Sequence, residues 1–477
     1  MSDRLRRVHF VAIAGTGMGS LAGLLHARGL HVTGSDENFY PPMSAALESW
    51  GIPVHRSFAP EHVLDGPPDL VVIGNAVRPT NIEARAAIDE GLHHLSFPDA
   101  LYQHAIAGKH SVVVSGTHGK TTTTNLVASL LLGAGRDPSL LVGGFSYDFD
   151  GSFREGQGDH FVVEGDEYDT AFFDKTPKFL HYSARTLVIT SVEFDHADIY
   201  RDLDHVKDAF RQLVARMPPN GTIVAATDHT GVRDVVSQAP CPLMEYGLGD
   251  GEGWRAQAVS PSPRGTSFDL RGPDGESFAM TIPLHGDFNV ENALAALATG
   301  SVLGVPIAEA AAALAAHRGV KRRQELRGEE RHVAVIDDFA HHPTAVRAAI
   351  GGLRERYPGR RLVAVFEPRT NTSRRAVFQA DYAAAFDAAD ALVVATVPDA
   401  PLYSATGEVG ERFSSDTLAA DVSARGTPAI AIEGVDAIVA HLGERSEPGD
   451  VVLVMSNGDF GNIWQKLLDA LRITAGP

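Results

Sequence analysis

Gly116-Thr117-His118-Gly119-Lys120-Thr121 follows the apolar run Val112-Val113-Val114 and opens the helical stretch TTTNLVASLLLGAG. A glycine-rich turn between a strand and a helix N-terminus lets backbone N–H groups approach phosphoryl oxygens, and the helix dipole adds partial positive charge. In that setting Lys120 reaches the outer phosphates and the Thr121 hydroxyl holds Mg²⁺, so ATP is the expected ligand. A plain connecting turn has no use for a Lys-Thr pair at the helix start. Val114 stands where the general GxxxxGK[ST] pattern has its first glycine, so the loop is a variant.

Further candidates lie at the ends of apolar runs, where α/β proteins build their sites. Glu164 follows one in VVEGDEYD, and His196, with Asp195 and Asp198, follows another in SVEFDHADIY. Beside a phosphate loop, Glu164 and His196 offer ligands for a Mg²⁺ that bridges phosphate and substrate oxygen. A hydrogen-bonded structural histidine is an equal reading of His196. The turn Gly15-Thr16-Gly17-Met18-Gly19-Ser20, with Asp36 further on, imitates the dinucleotide fingerprint, although any nucleotide diphosphate uses the same backbone geometry. Asn289 and Asn292 in GDFNVENALAA stand ahead of a helix, either as caps or as amides reading an adenine edge. Arg322 and Arg323 are a solvated pair or phosphate clamps. Asp337-Asp338 and His341-His342-Pro343 follow an apolar run in the last third of the chain.

Positioning these groups requires several sheets. Residues 1–108 alternate β-rich runs (VHFVAIAG, HVTGSD, DLVVIGN, HHLSFP) with helical stretches. Residues 109–320 repeat the pattern with SVVVSG, HFVVEGD, TLVITSV and GTIVAAT, and 321–477 do so with VAVIDDF, RLVAVFEP, ALVVATVP, PAIAIE and DVVLVMS. Trp254 to Pro283 reads as an antiparallel patch broken by Pro273-Asp274-Gly275, and the Ala-rich run after it as two buried helices. The expected fold is α/β with three domains, each a mostly parallel sheet flanked by helices. The outer two are Rossmann-like and the middle one resembles a P-loop ATPase.

The 477 residues carry 41 basic and 60 acidic side chains, a net charge of −19, which disfavours nucleic acid and anionic membranes as partners. Cys241 is the single cysteine, so a reducing cytoplasm is the natural setting. The opening MSDRLRRVHFVAIAG imitates a signal peptide, but its apolar run is short and breaks into the glycine turn.

In order along the chain, GTHGKTTT, VVEGDE, FDHAD, NxxNALAA and DDFAHHP resemble the Mur ligase family of ATP-dependent amide-forming enzymes. The resemblance covers nearly the whole sequence. It assigns Gly116, Thr117, His118, Gly119, Lys120, Thr121 and Thr122 to the ATP phosphates, Thr121 and Glu164 to Mg²⁺, and His196 to a second Mg²⁺. It places Asn289, Asn292, Arg323 and Asp338 around the rest of the nucleotide. It also implies that Gly15, Thr16, Gly17, Met18, Asp36 and Asn75 hold the UDP of UDP-N-acetylmuramate rather than NAD. Phe210, where many members carry a carbamylated lysine, agrees with the muramate branch. Within that branch GSDENFYPPMS, DEYDTAFFDKTPKF, FEPRTNTSRR and VMSNGDFGNIWQKLL point to a cell-wall tripeptide, L-alanyl-γ-D-glutamyl-meso-diaminopimelate, as acceptor. Glu367-Pro368-Arg369-Thr370 replaces the Gln-Pro-His-Arg expected of an enzyme for free L-alanine. His341, Arg369, Asn371 and Arg374 are the expected peptide contacts. Ser191 and Phe288 depart from the family's usual asparagine and histidine. Alternatives are the alanine-adding ligase and, from a different class, an NAD-dependent oxidoreductase resting on the glycine turn and Asp36 alone.

Overall fold

The computed structural model describes residues 5–39, 43–397, 402 and 411–473. Tyr40–Pro42, within the stretch GSDENFYPPMS, lie outside them. The chain is an α/β protein with three sheets, mostly parallel. It divides into two compact units: Met1–Val192 with Val206–Arg255 and Asn292–His317, and Glu193–His205 with Ala256–Glu291 and Arg318–Pro477.

In the first unit, β1 (Arg7–Val11), β2 (His31–Ser35), β3 (Val54–His55), β4 (Leu70–Ile73) and β5 (His94–Ser96) form a parallel sheet in the order β3-β2-β1-β4-β5. The order reverses at β1, and the turn after β1 leads into helix Thr16–Ala27, so the glycine turn sits where such sheets bind ligands. A second sheet contains β6 (His110–Ser115), β7 (Ser139–Ser146), β8 (Gly151–Arg154), β9 (His160–Gly165), β10 (Thr186–Ile189), β11 (Thr222–Ala225) and β12 (Leu243–Leu248). Within this unit its strands run β12-β11-β10-β6-β9-β7-β8, parallel except for the β7–β8 pair. β6 therefore lies between β9 and β10, and the ends of all three converge on one edge. β6, β9 and β10 read as unbroken apolar runs because both faces of the sheet are covered. The helix after β6, Lys120–Gly133, is buried from Thr121 to Leu131.

In the second unit, β13 (Trp254–Ser262) begins at the unit boundary, and β14 (Gly265–Arg271) pairs antiparallel with β15 (Ser277–Ile282) around the Pro273-Asp274-Gly275 turn, where Gly275 takes φ 83°. The third sheet, β16 (Glu325–Glu330), β17 (Val333–Asp338), β18 (Leu362–Phe366), β19 (Ala391–Ala395), β20 (Ala429–Ile432) and β21 (Val451–Met455), runs β16-β17-β21-β18-β19-β20. Only β16–β17 is antiparallel. Along β17, Ala334 and Ile336 join the apolar cluster on one face and Val333 and Val335 that on the other. Among the described residues, no helix is long and apolar enough to cross a membrane.

Candidate active site

The loop after β6 is held by backbone and hydroxyl groups from the end of β10. Thr117 N donates to Ser191 O (3.0 Å), His118 N donates to Ser191 Oγ (2.8 Å), and Thr190 Oγ1 donates to His118 O. Ser191, a departure from the family's asparagine, thus ties the loop down through its own hydroxyl. Gly116 and Gly119 take φ 140° and 81°; a Cβ on them would lie 2.1 Å from Thr190 Oγ1 and 2.5 Å from Asn292 Oδ1. Only glycine leaves that cradle open. Thr122, within the first turn of the helix, is buried.

Lys120 is not the exposed phosphate tether that a surface loop would present; its side chain is 11% exposed. Nζ donates to Gly116 O (2.6 Å) and Thr117 O (3.3 Å) and pairs with buried Glu167 Oε2 at 2.8 Å. Burial works to lower its pKa, but the charges of Glu167, Asp166 and Glu164 outweigh burial and hold it above the ordinary lysine value. Glu164, at the end of β9, accepts from Thr121 Oγ1 (2.8 Å) and from Gly143 N (2.8 Å). Burial, aided by Asp166, pushes its carboxyl up despite Lys120 and these hydrogen bonds. A divalent cation suits this donor set: the Thr121 hydroxyl at a helix N-terminus in contact with the half-buried Glu164 carboxylate, two hard oxygens side by side.

The turn after β1 is built differently. Gly15 precedes the helix with φ −67°, and Gly17 lies against the Phe97 ring, which a Cβ would approach to 3.3 Å. Both Asp36 oxygens are engaged by the turn itself, accepting from Ala14 N (2.9 Å) and Asn38 N (2.8 Å). Met18 is buried and Asn75 is exposed two residues past β4. Phe210 packs on Phe179, with centroids 5.2 Å apart, as part of the core.

In the second unit the segment around His196 meets two other loops. His196 takes φ 53°, and its N–H donates to the Asp195 side chain (2.7 Å). Ala197 N donates to Thr372 Oγ1 (3.1 Å), and His341 Nε2 stands 3.7 Å from Asp195 Oδ2. Burial favours the neutral acid at Asp195, yet His196, His341 and His342 hold it well below the usual carboxylate range. His342 Nδ1 accepts from Thr344 N and its Nε2–H donates to Phe194 O (3.2 Å), a pairing that fixes one tautomer. The Arg323 guanidinium stacks 4.7 Å from the Phe339 ring centroid beside Asp338. Burial raises the Asp338 carboxyl against that arginine's charge; its oxygens accept from Gln324 N and Ala340 N. Arg369 is half exposed and paired with Asp459 at 2.7 Å. Asn371 and Arg374 are half-buried on the same loop, which Thr370 and Ser373 brace through their hydroxyls (2.8 Å).

The asparagines differ from the capping expectation. Helix Asp287–Val302 starts before them, because Asp287 supplies the acidic first turn and both asparagines fall inside the helix. Asn289 Nδ2 donates to His285 O (2.8 Å), and Asn292 Oδ1 accepts from Thr123 Oγ1 (3.0 Å). Sequence reasoning missed Glu167 as the partner of Lys120, Asp166 beside it, and Thr372 under the His196 segment. The run of acids in GDEYD was the available signal for the first two; nothing local flags the third.

A glycine cradle, its lysine and a half-buried acid at the next strand's end, on one of three mostly parallel sheets, define an α/β enzyme that handles nucleotide phosphates. The chain belongs to the Mur ligase family. Residues 7–109 match the Mur ligase family catalytic domain, 114–300 the Mur ligase middle domain, and 322–458 the Mur ligase glutamate ligase domain. It is 38% identical over 467 residues, 98% of each chain, to the UDP-N-acetylmuramate–L-alanyl-γ-D-glutamyl-meso-2,6-diaminoheptandioate ligase of Escherichia coli (strain K12). The solved murein peptide ligase of Psychrobacter arcticus 273-4 is 32% identical with a TM-score of 0.74, covering 99% of this chain and 100% of that one. The UDP-N-acetylmuramate-alanine ligase of Thermotoga maritima is 25% identical with a TM-score of 0.79 over the same shares.

Proposed function

We propose that this protein joins the carboxylate of UDP-N-acetylmuramate to the amine of L-alanyl-γ-D-glutamyl-meso-diaminopimelate, with ATP split to ADP, as a step of cell-wall peptide recycling. The observation that carries the chemistry is the contact of Thr121 with Glu164 beside Lys120 at the end of β6. A carboxylate has no usable leaving group, so its oxygen first takes the γ-phosphoryl and the resulting acyl phosphate is attacked by the peptide amine. Gly116, Thr117 and His118 shape the loop around the phosphates, and Lys120 with the N–H groups of residues 119–122 holds them in line. Thr121 and Glu164 would hold one Mg²⁺ and His196 a second, and the metal would supply positive charge to offset that of the phosphates. Asn289, Asn292, Arg323 and Asp338 serve the remainder of ATP. The turn at Gly15–Met18, with Asp36 positioning it and Asn75 beside it, takes the UDP. We assign 1–108, 109–320 and 321–477 to the sugar-nucleotide, ATP and peptide domains, and the cytoplasm as the setting.

The two solved relatives share the fold, so fold alone does not choose the acceptor. The higher identity to the peptide-adding enzymes and Arg369 at the expected histidine position favour the tripeptide, whose carboxylates suit His341, Arg369, Asn371 and Arg374. ADP release with each acceptor tests this. The tripeptide should exceed free L-alanine in kcat/KM by about a hundredfold, the ~3 kcal/mol that one or two charge-assisted contacts supply. A preference for L-alanine would make this the alanine-adding enzyme.

A further inference from the structure

Lys178 lies outside every role given above. It begins the short 3₁₀ turn Lys178–His181 and is 6% exposed. Its ammonium is 3.7 Å from Asp166 Oδ2, 4.0 Å from the Tyr168 ring centroid and 5.5 Å from that of Phe97. Asp166 is its carboxylate partner, at a longer distance than the 2.8 Å of the Lys120–Glu167 pair, and burial lowers its pKa despite Asp166 and Asp169. A buried ammonium with three donors and a loose carboxylate partner is under-compensated; a second anion would complete it.

Its neighbours show where that anion would come from. Phe97, under Lys178, is the ring on which Gly17 of the glycine turn rests. Asp166, on the other side, is two residues past Glu164 and adjacent to Glu167, the partner of Lys120. Lys178 thus stands on the line of contacts that leads from the turn after β1 to the metal-binding acid after β9. Along that line an acidic sugar nucleotide must present its carboxylate.

We infer that Lys178 binds the lactyl carboxylate of the sugar nucleotide, exchanging Asp166 for it, and so separates a muramate from the same nucleotide without the lactyl group. This rests on the reading of the β1 turn as a UDP-sugar site. Lys178 is a binding and specificity residue; it holds the attacking oxygen and takes no proton.

Calorimetry without ATP tests the inference, using UDP-N-acetylmuramate and UDP-N-acetylglucosamine, which lacks the 3-O-lactyl group. The wild type should prefer the muramate at least tenfold. Lys178→Met should lose that preference while its Kd for UDP-N-acetylglucosamine stays within threefold. Equal weakening toward both ligands, or an unchanged preference, would make Lys178 a strut and overturn the inference. Should Lys178→Met fail to fold by circular dichroism, Asp166→Asn gives the second reading: freed from its resting partner, Lys178 should raise the preference, and a preference unchanged or reduced overturns the claim. A wild type that binds both nucleotides equally contradicts Lys178 alone, whereas one that binds neither removes the UDP-sugar reading beneath it.

Discussion

The first unit contains two strand–glycine–helix corners that look alike as text and differ as objects. After β1, Gly15 has ordinary extended dihedrals and no atom within 4 Å of where its Cβ would be, and the turn is held by Asp36. After β6, Gly116 and Gly119 take left-handed values against Thr190 and Asn292, and the loop carries Lys120, Thr121 and a shell of acids. The first corner offers a diphosphate its backbone and the Thr16 hydroxyl; the second adds a lysine and a group of acids. Binding and chemistry are therefore divided between them.

The sharpest way to break this contrast is Lys120→Ala. Turnover should fall at least ~10³-fold, the effect of losing one preorganised charge on a transferring phosphoryl. Because buried Glu167 would lose its Lys120 partner, the same change should cost about 3 kcal/mol of stability. Adding Glu167→Gln should restore the melting temperature and leave turnover lost. Recovery of both would reduce Lys120 to a structural cation.

Alanine at each corner gives the next contrast. Gly116→Ala should destabilise by about 2–3 kcal/mol and abolish ATP use, since its Cβ would strike Thr190. Gly15→Ala should cost less than ~1 kcal/mol by denaturant melts. Glu164→Gln and His196→Ala should each raise the Mg²⁺ concentration for half-maximal activity about tenfold. Unchanged metal dependence in both would return them to structural roles.

A pH-dependent effect lies at the opposite end of β6. His110 is kept neutral, its pKa lowered to about 4 by burial, with His160 and Arg185 adding to it. The unfolded chain binds that proton from about pH 6.5 downward, so stability is full above pH 6.5 and falls as the pH drops toward 4, by about 2 kcal/mol. His110→Gln should flatten melting temperature over that window while leaving activity at pH 8 near wild type.

The apolar runs Val112–Val114, Phe161–Val163 and Leu187–Ile189 announced central strands because both faces of their sheet are buried, and the phosphate loop was legible from its glycines and lysine. β7 and β12 were not: Gly143-Gly144 interrupts one, and the other is fully buried only at Tyr246 and Gly247. Within the site, Glu164 and Thr121 were named and meet as expected, whereas Glu167 became visible only when the fold brought it across 47 residues to Lys120. Asp36 was legible from its spacing after the glycine turn, whereas the bonds its oxygens accept from Ala14 N and Asn38 N became visible only in the fold. Lys178 lies within the stretch DEYDTAFFDKTPKF but nothing there singles it out; its meaning comes from Phe97 and Asp166, which lie far from it in sequence or across a turn.

Oxygen transfer tests the central claim most directly. UDP-N-acetylmuramate labelled with ¹⁸O in its lactyl carboxylate, incubated with ATP, Mg²⁺, tripeptide and enzyme, should give one labelled inorganic phosphate per amide formed, because the carboxylate oxygen that takes the γ-phosphoryl leaves with it. Unlabelled phosphate alongside amide product, or label recovered in AMP, would contradict phosphorylation of the muramate at the β6 loop.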